Sequence, residues 1–440
     1  MRFVFSGRFF LLLALGLVPL SMSWSFPVLR TAVLVFDVLL IAAAVLDYLM
    51  SRKLPEGFTI RREFEARFAI GDPSDVKLEI ENDTERAFRI KIKDEYPDAM
   101  KLGDPREAAF TIQPRSNAEF YYSLTPPKRG HYEFGRTAVR YLSRFGLVWC
   151  QSELGEPQAV KVYPNMRRAR EMELKALGNQ SFIAVQRKAV RRGEGREFES
   201  MRDYVRGDEL RHISWTATAR RSKLTTRQYQ IERDQTVIIA LDAGRLMTGR
   251  IDGETKFDTA IHAALALMSA CARAGDNAGV VVFGRRVRKY LPPKRGLEHM
   301  DAVLEALHDM EPELIEPSYA RAFQFISSNL KKRAFVVILT DLVDKDSSRE
   351  LINSLKLMRP RHLPLVATIG DRDLNAMVST RPEDIRDVFK QSAAEEIIHQ
   401  RESALRLVES LGGLALDVTT QTLGPRLLES YLRVKERGLL

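Results

Sequence analysis

The chain is 440 residues long, 45% hydrophobic and 29% charged, which is enough for two or three domains with cores of their own. Its two cysteines, Cys150 and Cys271, exclude a disulfide framework and fit a reducing compartment. A formal charge of +10 suits nucleic acid, anionic lipid or an acidic protein partner alike, so charge alone excludes none of them.

At the N-terminus, residues 9–24 (FFLLLALGLVPLSMSW) carry no charge, and residues 31–50 (TAVLVFDVLLIAAAVLDYLM) carry only Asp37 and Asp47. A spanning helix needs about 20 apolar residues. The pair, joined by a turn across 19–27, reads as a transmembrane helical hairpin over residues 1–54. The rival reading is a secretory signal peptide, with Arg2 and Arg8 as its basic region and Ser21-Met22-Ser23 as the cleavage site. Arg2 and Arg8 precede the first segment, Arg52, Lys53, Arg61 and Arg62 follow the second, and Arg30 lies near the turn. The positive-inside rule then predicts a multi-pass protein of the inner (cytoplasmic) membrane, with its soluble domains in the cytoplasm. An intramembrane carboxylate is a functional candidate. With no ionisable partner in the first segment, Asp37 is expected instead to hydrogen-bond within the hairpin or to sit protonated against the neighbouring helix.

Residues 55–163 read as antiparallel β structure. VKLEIE (76–81), FRIKIK (88–93), AEFYYSL (118–124) and TAVRY (137–141) alternate apolar and polar residues between turn clusters rich in Gly, Pro, Asn and Asp. Strands at this spacing predict an immunoglobulin-like β-sandwich, a module that contacts partners more often than it performs chemistry. PPKRGHYEFG (126–135) and SRFGLVW (143–149) are expected to be strand connections.

Residues 164–234 change character to an Arg-rich linker segment. Between 187 and 233 thirteen basic residues face seven acidic ones, interleaved with Phe198, Tyr204, Trp215 and Tyr229. Arg and carboxylate groups so mixed form bidentate pairs that fix an irregular segment to a protein surface. Aromatics between arginines also stack on bases, but each acidic residue repels phosphate, so ion-pairing is preferred to nucleic-acid binding.

Over residues 235–440 strands and helices alternate. Strands are expected at 237–242, 279–283, 334–340, 364–369 and 415–418. Helices are expected at 257–273, 297–309, 319–331, 348–358, 395–411 and 423–436. Continuous apolar runs such as VVILT indicate a mostly parallel, doubly wound α/β sheet covered on both faces. Ligands in such folds bind beyond the carboxyl ends of the strands, where Asp242 and Asp341 lie.

EFESMRDYVRGDELRHISW, ARRSKLTTRQYQIERDQ, GDNAGVVVFG, LPPKRG and RHLPL together resemble the DUF58 family, bacterial membrane-anchored proteins with a von Willebrand factor A-like domain. The resemblance covers essentially the whole chain and places the family motif at Arg202, Tyr204, Gly207, Asp208, Arg211, Trp215, Arg220 and Arg227. Family members often carry Asp and Lys around the Trp; here Ser214 and Thr216 flank Trp215, which weakens a catalytic or ligand role there. The resemblance also implies a membrane-tethered accessory protein that works with MoxR-type AAA ATPases and other von Willebrand A proteins.

The metal-ion-dependent adhesion site of von Willebrand A domains uses Asp-x-Ser-x-Ser, a Thr from a second loop and an Asp from a third. By position, Asp242 and Asp341 keep the carboxylates and Ser318 stands for the Thr, whereas Gly244 and Leu246 replace the serines. Mg²⁺ wants near-octahedral oxygen ligation, and the loss of two ligands predicts a degenerate site at Asp242, Gly244, Arg245, Ser318 and Asp341. Any weak metal contact would fall to Asp242, Ser318 and Asp341, with Arg245 adding a cation nearby; otherwise Asp242 caps the following turn and pairs with an Arg. No cofactor is expected.

GxxxxGK[ST], HExxH, paired CxxC and GxSxG are all absent from the sequence. Cys150, Cys271 and the scattered histidines, His212 among them, read as structural. The sequence therefore predicts a non-enzymatic, membrane-anchored cytoplasmic adaptor that binds protein partners. The alternative is a membrane-tethered nucleic-acid-binding protein using residues 187–233.

Overall fold

The computed structural model describes residues 3–22, 28–65, 67–178, 197–205, 210–230, 235–251, 253–342, 345–359, 361–382 and 384–440. The chain forms two compact units, Met1–Tyr163 and Pro164–Leu440.

The first unit opens with a short strand, β1 (Phe3–Phe5), and two apolar helices, α1 (Gly7–Met22) and α2 (Val28–Ser51), which pack on each other. Among the described residues one helix, Val28–Ser51, is long and apolar enough to cross a membrane; α1 is shorter and contains Pro19. Their outer faces are apolar and exposed, as at Leu11, Leu15, Val18, Leu34, Val38 and Leu39. Asp37 turns one buried carboxylate oxygen, Oδ1, towards α1, where it has no hydrogen-bond partner; Gly16 is the residue it faces.

Strands follow: β2 (Phe58–Phe64), β3 (Phe68–Ala69), β4 (Ser74–Asn82), β5 (Phe88–Lys93), β6 (Lys101–Leu102), β7 (Glu107–Ile112), β8 (Ser116–Thr125), β9 (Gly130–Phe134), β10 (Thr137–Leu142), β11 (Val148–Leu154) and β12 (Gln158–Tyr163). They form sheets of order β1-β11-β10-β5-β7, β2-β4-β8-β6 and β3-β12-β9. The alternation read from the sequence is the cause: in β4 the residues Val76, Leu78 and Ile80 are wholly buried while Lys77, Glu79 and Glu81 are not. Phe9, Leu40 and Ala44 from the helices join the same core, so the feet of α1 and α2 are part of the β-rich unit.

Asp94 is fully buried within this unit and fully partnered. Arg62 donates from Nε and Nη2 at 2.9 and 2.5 Å, Tyr122 and Thr137 donate their hydroxyls at 2.5 and 2.7 Å, and the Arg62 guanidinium stacks 4.8 Å over Phe134.

The second unit starts earlier than its first parallel strand. Residues expected to begin a linker instead form α3 (Met166–Gly178), which packs on helices of the α/β sheet; Asn165 N donates to His262 Nε2 at 3.1 Å and Arg273 pairs with Glu173. The Arg-rich stretch is likewise more regular than expected. β13 (Glu197–Asp203) and β14 (Thr225–Gln230) pair antiparallel, with the helix α4 (Trp215–Arg221) between them.

Beyond these lie β15 (Thr236–Asp242), β16 (Arg250–Ile251), β17 (Glu254–Thr255), α5 (Lys256–Ala274), β18 (Asn277–Phe283), β19 (Val287–Lys294), α6 (Glu298–Leu307) and α7 (Tyr319–Asn329). The chain ends with β20 (Phe335–Thr340), α8 (Lys345–Met358), β21 (Leu363–Gly370), α9 (Arg372–Ser379), α10 (Ile385–Ser410), β22 (Leu414–Thr419) and α11 (Leu423–Glu436). The sheet order is β19-β18-β15-β20-β21-β22, parallel except for β19. β19 carries Pro292 and Pro293, tolerable because it is an edge strand. The order reverses between β15 and β20, which makes their carboxyl ends the crevice where such sheets take ligands.

Candidate functional site

Asp242 ends β15, and Thr340 and Asp341 end β20. Both carboxylates are almost wholly buried, at 2% and 1% exposure, so the free-energy cost of their charge depends on their partners. Asp242 accepts hydrogen bonds from the Thr340 hydroxyl at 2.6 Å, the Tyr319 hydroxyl at 3.2 Å and the Gly244 backbone N–H at 2.8 Å. These three donors stabilise its charge, yet burial outweighs them and pushes its carboxyl up to about 6. Burial, and then the neighbouring Asp242 charge, holds the Tyr319 phenol well above its ordinary value, so it stays a donor.

Asp341 is met by two cations. Lys256 Nζ lies 2.6 Å from its Oδ2 and Arg401 Nη2 lies 3.2 Å from its Oδ1, with Arg401 Nε also donating to the Leu342 carbonyl at 3.2 Å. Lys256 is the first residue of α5, whose start is fixed by a capping box: Asp258 N donates to Thr255 Oγ1 at 3.0 Å and Thr255 N to Asp258 Oδ2 at 3.3 Å. Arg401 projects from the buried side of α10, among Ala394, Ala404, Leu405 and Val408. On its far side it approaches Asp417 Oδ1 at 3.8 Å, whose carboxyl is raised by burial.

The loop after β15 is closed by its neighbours. A β-carbon at Gly244 would stand 2.7 Å from Pro317 Cδ, 3.0 Å from Asp242 Oδ1 and 3.1 Å from the Ile315 carbonyl. The backbone N–H of Arg245 donates to that same carbonyl at 2.9 Å. A serine at 244 thus has no room, which accounts physically for the residue present. Among the described residues no group of three or more His, Cys, Asp or Glu is placed to hold a metal ion. The donor set at the strand ends fits a protonated amine, which is already there, better than a hard cation needing several oxygens.

The residues singled out from sequence therefore divide. Asp242 and Asp341 share the crevice. Ser318 lies ahead of α7, but its hydroxyl donates to Glu350 Oε1 at 3.2 Å. Arg245, expected to add a cation near the carboxylates, pairs with Glu316 on a half-exposed rim, and the ammonium that meets Asp341 is that of Lys256. The Asp242 partners are hydroxyls and a backbone amide, where an arginine was anticipated. Lys256, Arg401, Thr340 and Tyr319 were not anticipated. A signal existed for two of them: a lysine opening a helix opposes the helix dipole unless a carboxylate faces it, and Arg401 interrupts an apolar stripe.

Of the family-motif positions, Gly207 and Asp208 lie outside the described residues, as do the side chains of Arg211 and Arg227. Arg202 is in β13, and Tyr204 N donates to the Leu224 carbonyl at 2.8 Å. Trp215 opens α4 and is 68% exposed, with Arg220 exposed in the last turn. Ser214, just before Trp215, is buried, its N–H donating to the Thr225 carbonyl at 2.9 Å. Burial pushes the Cys150 thiol up to about 11 and the Cys271 thiol higher still, values that suit packed side chains rather than nucleophiles.

Residues 200–396 match the family described as "Protein of unknown function DUF58". Among relatives, "Uncharacterized protein Rv1480" of Mycobacterium tuberculosis (strain ATCC 25618 / H37Rv) is 24% identical over 215 residues, covering 47% of this chain and 64% of that protein. "Uncharacterized protein YeaD" of Bacillus subtilis (strain 168) is 20% identical over 225 residues, 51% of this chain and 54% of that one. The chain thus spans less than two thirds of the length of these relatives. Among solved structures, the conserved hypothetical protein BatB from Bacteroides thetaiotaomicron aligns with a TM-score of 0.31 at 14% identity, over 46% of this chain and 99% of that one. Over residues 200–396, this chain is thus similar to the DUF58 family.

Proposed function

We propose that this protein is a membrane-anchored, non-enzymatic adaptor. In this reading α1 and α2 form a hairpin in the cytoplasmic membrane with both ends on the cytoplasmic side. An immunoglobulin-like sandwich and a von Willebrand factor A-like domain then present docking faces to protein partners, a MoxR-type AAA ATPase or an acidic client among them. The exposed apolar flanks of α1 and α2 support the anchor. So does the pairing of β1 with β11, since a strand ahead of α1 and the end of α2 both return to the same sheet; cleavage after the first segment would remove that strand.

One observation carries the functional reading. Lys256 and Arg401 neutralise Asp341 internally, so the carboxylate best placed for metal or acid–base chemistry is already committed to holding the fold. What remains available to a partner is the rim, where Arg245 and Glu316 are half-exposed. Capture of partners from membranes by the full chain tests this, comparing wild type with Arg245→Glu. Loss of a partner that wild type retains supports docking at this rim; identical recovery, or substrate turnover by the purified full chain alone, sinks the reading.

A further inference from the structure

The turn between β10 and β11 is tied to the end of α2. Asp47 is fully buried, and its carboxylate accepts from the Ser143 hydroxyl at 2.5 Å, Phe145 N at 3.0 Å and Leu147 N at 3.1 Å. Ser51 Oγ accepts from Arg144 N at 3.0 Å, and the Ser51 carbonyl accepts from the Tyr141 hydroxyl at 2.6 Å. Ser6, just ahead of α1, grips the turn from its other side: its hydroxyl donates to the Gly146 carbonyl at 2.6 Å and its N–H to the Leu147 carbonyl at 2.8 Å. The turn is therefore fixed in height against both helices.

That height has a consequence. Leu46, Leu49 and Met50 surround Asp47 in sequence and are exposed and apolar, continuous with the outward face of α2. Asp47 lies about 6 Å along the helix from Ser51, at 1.5 Å per residue. A bilayer deep enough to cover Leu49 and Met50 reaches the turn bonded to Asp47. At its tip Phe145 is 59% exposed, with Phe3 and Val4 of β1 also exposed. Cations flank it: Arg144 is exposed, Arg8 is exposed with Nη1 2.8 Å from where a Gly146 β-carbon would stand, and Arg52 and Lys53 follow α2 directly. An aromatic tip with basic neighbours matches the lipid–water interface, where aromatic rings settle and arginines reach phosphates.

We propose that the turn spanning residues 143–147 is a membrane-contact element, in which Phe145 enters the interfacial layer of the bilayer while Arg8 and Arg144 bind the phosphates of anionic lipid headgroups. The proposal rests on the anchor reading above. Asp47 and Ser51 act as positioning residues: they take up backbone donors that water would otherwise have to solvate, and so let the turn sit at that depth.

The test is spin-label accessibility on the full chain reconstituted in phosphatidylcholine vesicles with and without phosphatidylglycerol. The native cysteines are both buried, so a label on Phe145→Cys reports a single site. Leu39→Cys on α2 and Glu156→Cys in an exposed loop serve as lipid and water references. The expected result is an oxygen-over-nickel accessibility ratio at 145 well above that at 156. The Arg8→Gln/Arg144→Gln double variant, labelled at 39 to verify insertion, is expected to lose preference for phosphatidylglycerol by up to about fivefold per arginine removed. A water-like ratio at 145 with a lipid-like ratio at 39 overturns the contact element and leaves the anchor standing. Water-like ratios at both overturn the anchor and this proposal with it.

Discussion

Asp94 in the first unit and Asp341 in the second are both buried carboxylates held by a cation, yet only one of them lies where a fold invites a functional interpretation. Asp94 is encircled by strands and meets Arg62, Tyr122 and Thr137. Asp341 stands at a strand end beside a change in strand order and meets Lys256 and Arg401. Chemically the two solutions are alike: each buried charge is balanced by an opposite one within hydrogen-bond distance. The lesson is that place in a fold raises the possibility of a site, while the partners of the side chain decide whether its charge is available.

If the two centres are equivalent, cutting either should cost about the same. Lys256→Met and Asp94→Ala are each expected to destabilise their own unit by about 3–5 kcal/mol, because each leaves a buried charge short of its partner. Chemical denaturation of the full chain, followed by probes in each unit, measures this; a negligible effect at Lys256 alone would make Asp341 a reactive group rather than a structural one.

Asp242 should break the likeness, since hydroxyls and an amide replace the cation. With its carboxyl raised to about 6 in the folded chain, the folded state binds a proton that the unfolded state, near 3.9, releases. Its stabilising contribution is present below about pH 4 and is lost as pH rises through about 6. Asp242→Asn is expected to flatten the stability–pH curve across that window, worth about 2–3 kcal/mol at neutral pH. A curve identical to that of wild type would mean the carboxylate is ionised throughout.

Gly244→Ser sharpens the contrast between sequence motif and site. It restores one serine of the Asp-x-Ser pattern, but the crowding by Pro317 predicts a loss of about 1–3 kcal/mol and no magnesium uptake by calorimetry. The smallest effect is expected at the rim, where Arg245→Ala should change stability by no more than about 0.5 kcal/mol while weakening partner capture.

Much of the fold was legible because hydrophobic period reports burial directly. FRIKIK gives β5 its bounds, and the apolar run of β20 and the amphipathic α11 fall at or within a residue of where the pattern puts them. Elements whose composition argues against them were not: β19 carries two prolines, α9 is short and polar, and β1 is hidden in an apolar terminus. At the site the carboxylates were legible from strand ends. Their counter-charges were not, because Lys256 and Arg401 are brought to Asp341 from 85 and 60 residues away by helix packing, and no local spacing encodes that.

Strand β1 carries a last implication, for biogenesis. Ser6 and Gly146 are bonded across 140 residues, and Phe3 pairs with Cys150. Strand β1 must therefore wait until β11 has been synthesised before the sheet acquires its border. Replacing Ser6 by a residue without a hydroxyl would loosen that late-closing seam.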